Sequence, residues 1–317
     1  MKRTRSIEES RRHLLRWYRR VRRDLPWRRT RDPYAVWLSE VMLQQTTVAA
    51  VVPYYERFLK RFPDFGVLAR ARLDSVLAQW SGLGYYRRAR NLHAAAKIVA
   101  REGLPTDAAG LRALPGVGAY TAAAIASIAH GEPVSVVDGN VERVLSRMHR
   151  IRRDPGRIRE LAEAWISPRA PGDHNQAVME LGATVCTPRR PRCDKCPVRA
   201  FCAGHDSPGG YPAPRARPKP KREHRTVAFV LRGGCVKLVR NNEAGRLAGM
   251  WDLPEADPAG QPLATVKHTI LDRLWTLSIH EGRPRRRGSW FDARHAAALP
   301  LTGAARKCLK KVGFLVG

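Results

Sequence analysis

A chain of 317 residues with 44% hydrophobic content can bury a full core and has length for two domains. No run of eighteen apolar residues exists, and the start "MKRTRSIEESRRHLL" lacks a leader's apolar segment, so membrane and secreted classes are set aside and a cytoplasmic protein is expected. Lys and Arg number 58 against 28 Asp and Glu, a formal charge of +30, which points to a polyanion such as DNA or RNA, the alternative being an Arg-rich solvated surface.

The first predicted element is a basic amphipathic helix. Ser6 and Glu9 form a capping-box pattern, and Leu14, Trp17, Tyr18, Val21 and Leu25 recur at helical spacing. Helical patterns continue to about residue 185, punctuated by "RFPDF", "SGLG", "LPGVG", "HGEP" and "RAPGD". Within them "VWLSEVMLQQT", 36–46, sets Glu40 in an apolar run. Its neighbours one turn away are Val36, Trp37, Leu43 and Gln44, so the helix gives it no basic partner. If that face is buried, desolvation raises the pKa and the group can serve as a general acid near neutral pH. On a solvated face it is an ordinary surface acid, and the stretch alone leaves both readings open.

"LPGVGAYTAAAIASIAHG", 114–131, predicts a short helix, a Pro-Gly-Val-Gly turn and an Ala-rich helix. Gly116 and Gly118 permit close backbone approach, and amides at the second helix's start suit a phosphate. The pattern fits a helix-hairpin-helix or a plain interhelical turn, and the surrounding charge favours phosphate binding. Next, "PVSVVDGNVERVLSRM" runs into a helix near Val141, with Asp138 placed as its N-cap. A capping carboxylate kept ionised by the helix dipole can also face a developing cation.

Four of six cysteines, Cys186, Cys193, Cys196 and Cys202, follow C-x6-C-x2-C-x5-C spacing among basic residues. That clustering predicts a metal or iron–sulfur site, and spacing alone does not separate zinc from [4Fe–4S]. The stretch 206–224, "DSPGGYPAPRARPKPKREH", has a linker's composition. Beyond it "RTVAFVLRGGCVKLVR" and "DRLWTLSIHEG" read as strands and "ARKCLKKVGF" as a closing helix, a small α+β domain over 225–317.

Taken together, "LPWR", "DPYAVWLSEVMLQQT", "WSGLGYYRRARNLH", "LPGVGAYTAAAI", "VVDGNVERVLSR" and "HNQAVMELGATVCTPRRPRCDKCPVRAFC" span nearly all of the first 202 residues. In this order they resemble the helix-hairpin-helix DNA glycosylase superfamily, and in detail its adenine DNA glycosylase (MutY) branch. The resemblance implies a mainly α catalytic region over 1–205, a linker over 206–224 and a trimmed Nudix-like domain over 225–317. It also implies a [4Fe–4S] cluster on the four cysteines and a monomer that binds duplex DNA in the bacterial nucleoid.

Two residues past the "PGVG" turn, where endonuclease III-like enzymes carry a Schiff-base lysine, this chain has Tyr120. A phenol cannot form that adduct, so the resemblance implies a monofunctional glycosylase that leaves an abasic site. Glu40 would protonate N7 of a flipped adenine mispaired with 8-oxoguanine or guanine. Asp138 would stabilise the oxocarbenium-like sugar, with Asn140 and Tyr120 orienting the two carboxylates. By the same resemblance Trp27, Arg28 and Glu180 line the adenine pocket, while Gln45, Thr46, Leu83 and Tyr85 wedge into the duplex and meet the opposite base.

The C-terminal match rests on "AGMWDLPEA" and "LPLTGAARKCLKKVGF" and lacks a glutamate array for nucleotide hydrolysis. It departs from the family twice. Ile270, Leu271 and Asp272 replace the family's Phe-Ser-His, and only about ten residues separate "WDLPEA" from "TVKHT", where a helix normally fits. Weakened discrimination of 8-oxoguanine from guanine is the expectation. Two other readings compete: a thymine glycosylase for G·T pairs, since that branch also carries Tyr at position 120, and a catalytically silent DNA-binding iron–sulfur protein. Glu40 argues against the first, because thymine has no N7, and the Glu40 and Asp138 pair argues against the second.

Overall fold

The computed structural model describes residues 2–214, 220–242, 247–258, 260–270, 272–282 and 287–316, with the side chains of 2–5 outside that description. Thirteen α-helices occur among these residues: α1 (Lys2–Val21), α2 (Pro33–Leu43), α3 (Val48–Arg61), α4 (Phe65–Arg70), α5 (Leu73–Trp80), α6 (Arg87–Glu102), α7 (Ala108–Leu111), α8 (Ala119–Ala129), α9 (Gly139–Met148), α10 (Pro155–Trp165), α11 (Pro171–Thr184), α12 (Ala293–Ala298) and α13 (Gly303–Lys311). The strands are β1 (Lys221–Ala228), β2 (Leu231–Arg232), β3 (Cys235–Arg240), β4 (Trp251–Asp252), β5 (Ala264–Ile270), β6 (Arg273–His280) and β7 (Ser289–Phe291). Among the described residues no helix is long and apolar enough to cross a membrane. Packing divides the chain into two compact units, Met1–Val48 with Ile98–Arg215, and Ala49–Lys97 with Ala216–Gly317.

The first unit is helical. Leu14, Trp17 and Tyr18 of α1 are buried in one cluster with Val144 and Leu145 of α9 and Ala177 and Leu181 of α11. The helix starts at Lys2, so Ser6 lies inside it and does not cap it as the Ser6–Glu9 pattern predicted. Lys and Arg propagate a helix well, and the cap signal is bypassed. Ser10 does the local work instead: its Oγ accepts from Trp165 Nε1 at 2.9 Å and donates to the Ile7 carbonyl at 2.8 Å. The small residues of α8 let neighbouring helices approach closely. A Cβ on Gly172, at the start of α11, would stand 2.7 Å from the Ile128 Cα, so only glycine fits there.

The second unit joins α3 to α5 and most of α6 with the C-terminal strands. Phe58 packs its ring 5.0 Å from Phe62 and edge-on to Trp80 at 5.8 Å, anchoring the helical part. Strand β6 pairs parallel with β1 and antiparallel with β5, while β3 sits in a second sheet flanked by β2, β4 and β7. Alternate residues of β3 and β6, Val236, Leu238, Leu277 and Ile279, enter a core closed by Leu301, Ala305 and Leu309. The expected α+β unit is present.

Three details depart from the composition-based reading. Strand β1 begins at Lys221, inside the stretch read as linker, because Glu223 accepts from Arg273 at 2.5 Å and from Trp275 Nε1 at 2.9 Å, tying that end to β6. Residues 208 and 211 also pack, as their carbonyls accept from the Arg147 side chain, while the 215–219 part of the stretch lies outside the described residues. Helix α12 was not expected, and it forms where Asp292 caps the amide of His295. Ile270 and Asp272 flank the β5–β6 hairpin, and Leu271 lies outside the described residues.

Candidate active site

Asp32 caps α2 by accepting from the amides of Tyr34 and Ala35, and Pro33 fixes its first turn. That helix is buried from Tyr34 to Met42, and it carries Glu40 into the interior at 5% exposure. Glu40 Oε2 has no hydrogen-bond partner among the described residues. Burial raises the carboxyl to about 7, reinforced by the charge of Asp138 and opposed by a hydrogen bond from Tyr120 and the charge of Arg28. The open choice between surface acid and buried acid closes on the buried one.

Helix α2 ends at Leu43, and the glutamines take different roles. Gln44 donates to Thr121 Oγ1 at 3.2 Å, fastening the helix end to α8. Gln45 is exposed with φ of 57°, a left-handed conformation uncommon for a residue with a side chain, and Thr46 follows in the same turn. The next turn-forming segment, between α7 and α8, has Gly116 at φ of 77°, where glycine is favoured, and Gly118 as the N-cap of α8. A Cβ on Gly118 would meet nothing within 4 Å, and Gly118 and Ala119 are both exposed at the start of α8. Helix α7 is only one turn long and stops at Leu111, three residues before the predicted Leu114.

Tyr120, one residue into α8, holds its hydroxyl 3.3 Å from Met179 Sδ and within hydrogen-bonding reach of Glu40, the two sharing its single proton. Burial and the carboxyls of Glu40 and Asp138 push its phenol well up, so it stays a neutral donor. Asp138 is the N-cap of α9 as predicted. Its Oδ1 accepts from the amides of Asn140 and Val141, both at 2.8 Å, and its Oδ2 accepts from Asn140 Nδ2 at 2.9 Å. Structure thus brings Glu40, Tyr120, Asp138 and Asn140 into one electrostatically coupled group.

Arg143 and Gly182 escaped sequence reasoning. Arg143 Nη2 donates to Asn140 Oδ1 at 2.9 Å and to the Gly182 carbonyl at 2.7 Å, and its Nε donates to the Cys186 carbonyl at 2.8 Å. A Cβ on Gly182 would lie 2.6 Å from Asn140 Cβ. Asn175 is a third: its amide bonds Ser127 Oγ, the Val134 carbonyl and the Val136 amide, fixing the extended lead into Asp138. Their one signal was presence within strings that already resembled the family.

The second buried acid, Glu180 on α11, sits in contrasting surroundings. Arg23 binds it through Nε at 2.8 Å and Nη2 at 2.7 Å, and Arg28 Nη2 binds Oε2 at 2.8 Å. Burial works against its charge, but the Arg23 and Arg28 hydrogen bonds outweigh that and hold the carboxyl down at about 2. Trp27, in the one-turn helix Pro26–Arg28, is buried nearby in sequence. Arg23 completes this cluster and was not anticipated from the sequence.

Leu83 and Tyr85 belong to the second unit, in the loop between α5 and α6. Leu83 is buried, whereas Tyr85 is 42% exposed and holds φ of 50°. Of these two wedge candidates only Tyr85 presents its ring to solvent.

The four clustered cysteines are free thiols that line one cavity floored by Val144, Met148, Leu181, Val185 and Val198. Arg147, buried on α9, donates to Cys186 Sγ at 3.3 Å and to the Thr187 and Pro188 carbonyls at 2.8 and 3.0 Å. An apolar pocket with four thiols and one guanidinium aimed at a sulfur fits an anionic thiolate-held cluster. Bound there, the cluster would staple the basic loop that the cysteines enclose.

Two family models match the chain: "HhH-GPD superfamily base excision DNA repair protein" over residues 38–168 and "Iron-sulfur binding domain of endonuclease III" over residues 186–202. The chain is 35% identical to an adenine DNA glycosylase of Mycobacterium tuberculosis over 86% of this chain and 91% of that protein. It is 40% identical to the adenine DNA glycosylase of Rattus norvegicus, over 79% of this chain and 61% of that one. The human protein of the same name is 41% identical, over 76% and 56% respectively. The chain thus spans about three fifths of the length of these mammalian relatives. A solved thermostable thymine-DNA glycosylase superposes with a TM-score of 0.58 at 28% identity, covering 65% of this chain and 99% of that one. An endonuclease III bound to DNA gives 0.55 at 23% identity, covering 64% and 96%, and shows the shared fold.

Proposed function

Because the chain belongs to the adenine DNA glycosylase family, we propose that it excises adenine mispaired with 8-oxoguanine or guanine in duplex DNA and leaves an abasic site. One observation carries the reading: a buried carboxyl, Glu40, poised near 7 with an unpartnered oxygen, beside a second carboxylate held by a helix cap.

The chemistry follows from those surroundings. Glu40, at about 7, keeps about half of its population protonated at neutral pH and can deliver that proton to N7 of an extruded adenine, drawing electrons from the glycosidic bond. As the bond breaks, positive charge develops on the sugar. Asp138, its lone pairs oriented by two backbone amides and Asn140, stabilises that charge or adds to the sugar until water replaces it. Tyr120 orients Glu40 by its hydrogen bond and offers no amine for strand cleavage. In this reading Trp27, Arg28 and Glu180 shape the adenine pocket, and Glu180 acts as a permanent anion that cannot donate a proton near neutral pH.

Gln45, Thr46, Leu83 and Tyr85 are assigned to the DNA, with the exposed Tyr85 as the side chain suited to fill the gap left by the flipped base. The amides around Gly116 and Gly118 grip phosphate at the start of α8. The C-terminal unit is assigned to the opposite base. With Ile270 and Asp272 at the β5–β6 turn, it distinguishes 8-oxoguanine from guanine weakly, since an acid beside DNA repels phosphate. The protein works as a cytoplasmic monomer on the nucleoid.

A labelled duplex with adenine opposite 8-oxoguanine, treated with and without alkali, tests the assignment. Alkali-dependent cleavage at adenine is expected, and cleavage at thymine in a parallel G·T duplex would replace it with the thymine reading, which the likeness to the thymine-DNA glycosylase structure keeps worth an arm. Large discrimination between 8-oxoguanine and guanine at low enzyme concentration would overturn the weak-discrimination part alone.

A further inference from the structure

The loop Ser81–Tyr86 is held from three directions within the second unit. Tyr54 Oη donates to the Ser81 carbonyl at 3.1 Å, and Trp80 Nε1 and Arg88 Nη2 donate to the Gly84 carbonyl at 3.0 and 3.1 Å. Arg88 also lies over the rings of Trp80 and Tyr85, at 5.4 and 5.3 Å. These contacts come from flanking helices. The third direction is the C-terminal core: the buried Tyr86 hydroxyl donates to the Leu301 carbonyl at 2.8 Å and accepts from the Gly82 amide at 3.2 Å. Arg306 Nη2, on α13, donates to Ser81 Oγ at 2.8 Å.

Leu301 is itself rigidly placed. It is fully buried, bridges Trp251 of β4, and precedes Thr302, which accepts from Ala305 to cap α13 and donates its amide to the Trp251 carbonyl. Tyr85, at φ of 50°, takes the left-handed conformation that costs a residue with a side chain and so needs support. A Cβ on Gly82 would stand 2.2 Å from Tyr54 Oη, so the loop has no slack on that side.

The geometry points to Tyr86 and Arg306 as positioning residues that brace the Tyr85 loop on the C-terminal core, making that domain a buttress for DNA distortion as well as a reader of the opposite base. This rests on the assignment of Tyr85 to the duplex. It gives the trimmed C-terminal domain a task independent of the replaced Phe-Ser-His segment. Neither residue touches the reacting atoms, so both act through the loop.

Tyr86→Phe removes the hydroxyl and keeps the ring. The test places 2-aminopurine beside the target pair and records its emission on saturating enzyme, together with single-turnover adenine excision, cluster absorbance and thermal midpoint. Wild-type enzyme should raise the emission by unstacking the probe. Tyr86→Phe and Arg306→Met should each cut that rise at least by about half and slow excision about fivefold, with cluster absorbance unchanged, consistent with loss of one buried hydrogen bond. The double variant should be no worse than about tenfold, since both act on one loop. Wild-type emission and excision in both single variants would overturn the brace. If wild-type enzyme excises no adenine, the functional assignment falls by itself, and the emission readout still decides the brace.

Discussion

Glu40 and Glu180 are both buried acids on helices of the first unit, at 5% and 1% exposure, and they end at opposite ends of the carboxylate range. Burial disfavours charge at each. What separates them is who stands opposite: two arginines grip Glu180, while Glu40 faces a phenol, another carboxylate and no ion pair. Desolvation alone therefore does not decide where a buried carboxyl titrates. The missing ion pair does, since Arg28 acts on Glu40 only by its charge while it hydrogen-bonds Glu180, and the sequence spacing that places no Lys or Arg one turn from Glu40 is the first half of that arrangement.

The largest effect that would break this contrast is Glu40→Gln, which should lower single-turnover adenine excision by about 10³-fold while binding to the same duplex, read by gel shift, persists. Retained excision would remove Glu40 from its role. Asp138→Asn keeps the α9 cap, because Asn caps as well, so a loss of about 10²-fold without a drop in thermal midpoint would separate its charge from its structural duty.

Glu180→Gln should act on stability first, lowering the unfolding free energy by about 3 kcal/mol in urea titrations, since Arg28 is left buried with its partner neutralised. The two acids also oppose each other in pH. Glu180, with its pKa lowered from 4.5 to about 2, stabilises the fold above pH 4.5 and loses that contribution as pH falls towards 2. Glu40, raised from 4.5 to about 7, favours the fold below its unfolded pKa and loses that contribution as pH rises through 7. Urea midpoints should therefore fall on both sides, and each Glu→Gln change should flatten its own side only.

The smallest effect sharpens the mechanism. Tyr120→Phe removes the hydrogen bond that lowers the Glu40 pKa, so the basic limb of the excision pH profile should move upward from about 7 with only a few-fold change in maximal rate. An unmoved limb would assign that titration to another group.

Much of this site is legible in the sequence. Asp138 was readable as a cap because an acid between an extended run and a helical pattern has few other duties, and the cysteines were readable because density implies a ligand. Glu40 was legible only as a question, since helical spacing shows local neighbours and not what a distant helix brings. Arg23 and Arg143 were invisible for the same reason: in a chain with 58 basic residues, nothing local marks those whose side chains reach Glu180 and Asn140. The bracing of residues 81–86 from residues more than two hundred positions away is likewise a product of topology, as is the grouping of 49–97 with the C-terminal strands. Periodicity places the helix here, but the Ser6–Glu9 capping pattern does not mark its start, because the residues before it favour the same helix.

The glycine at position 182 leaves the chemistry with a hidden single point of failure. It offers no charge, meets no substrate in this scheme and would pass any search for functional side chains, yet one added methyl group would collide with Asn140 and tilt the amide that aims Asp138. Screens that look for loss of repair should find inactivating changes there in protein that still folds, still holds its cluster and still binds DNA, a defect of aim alone.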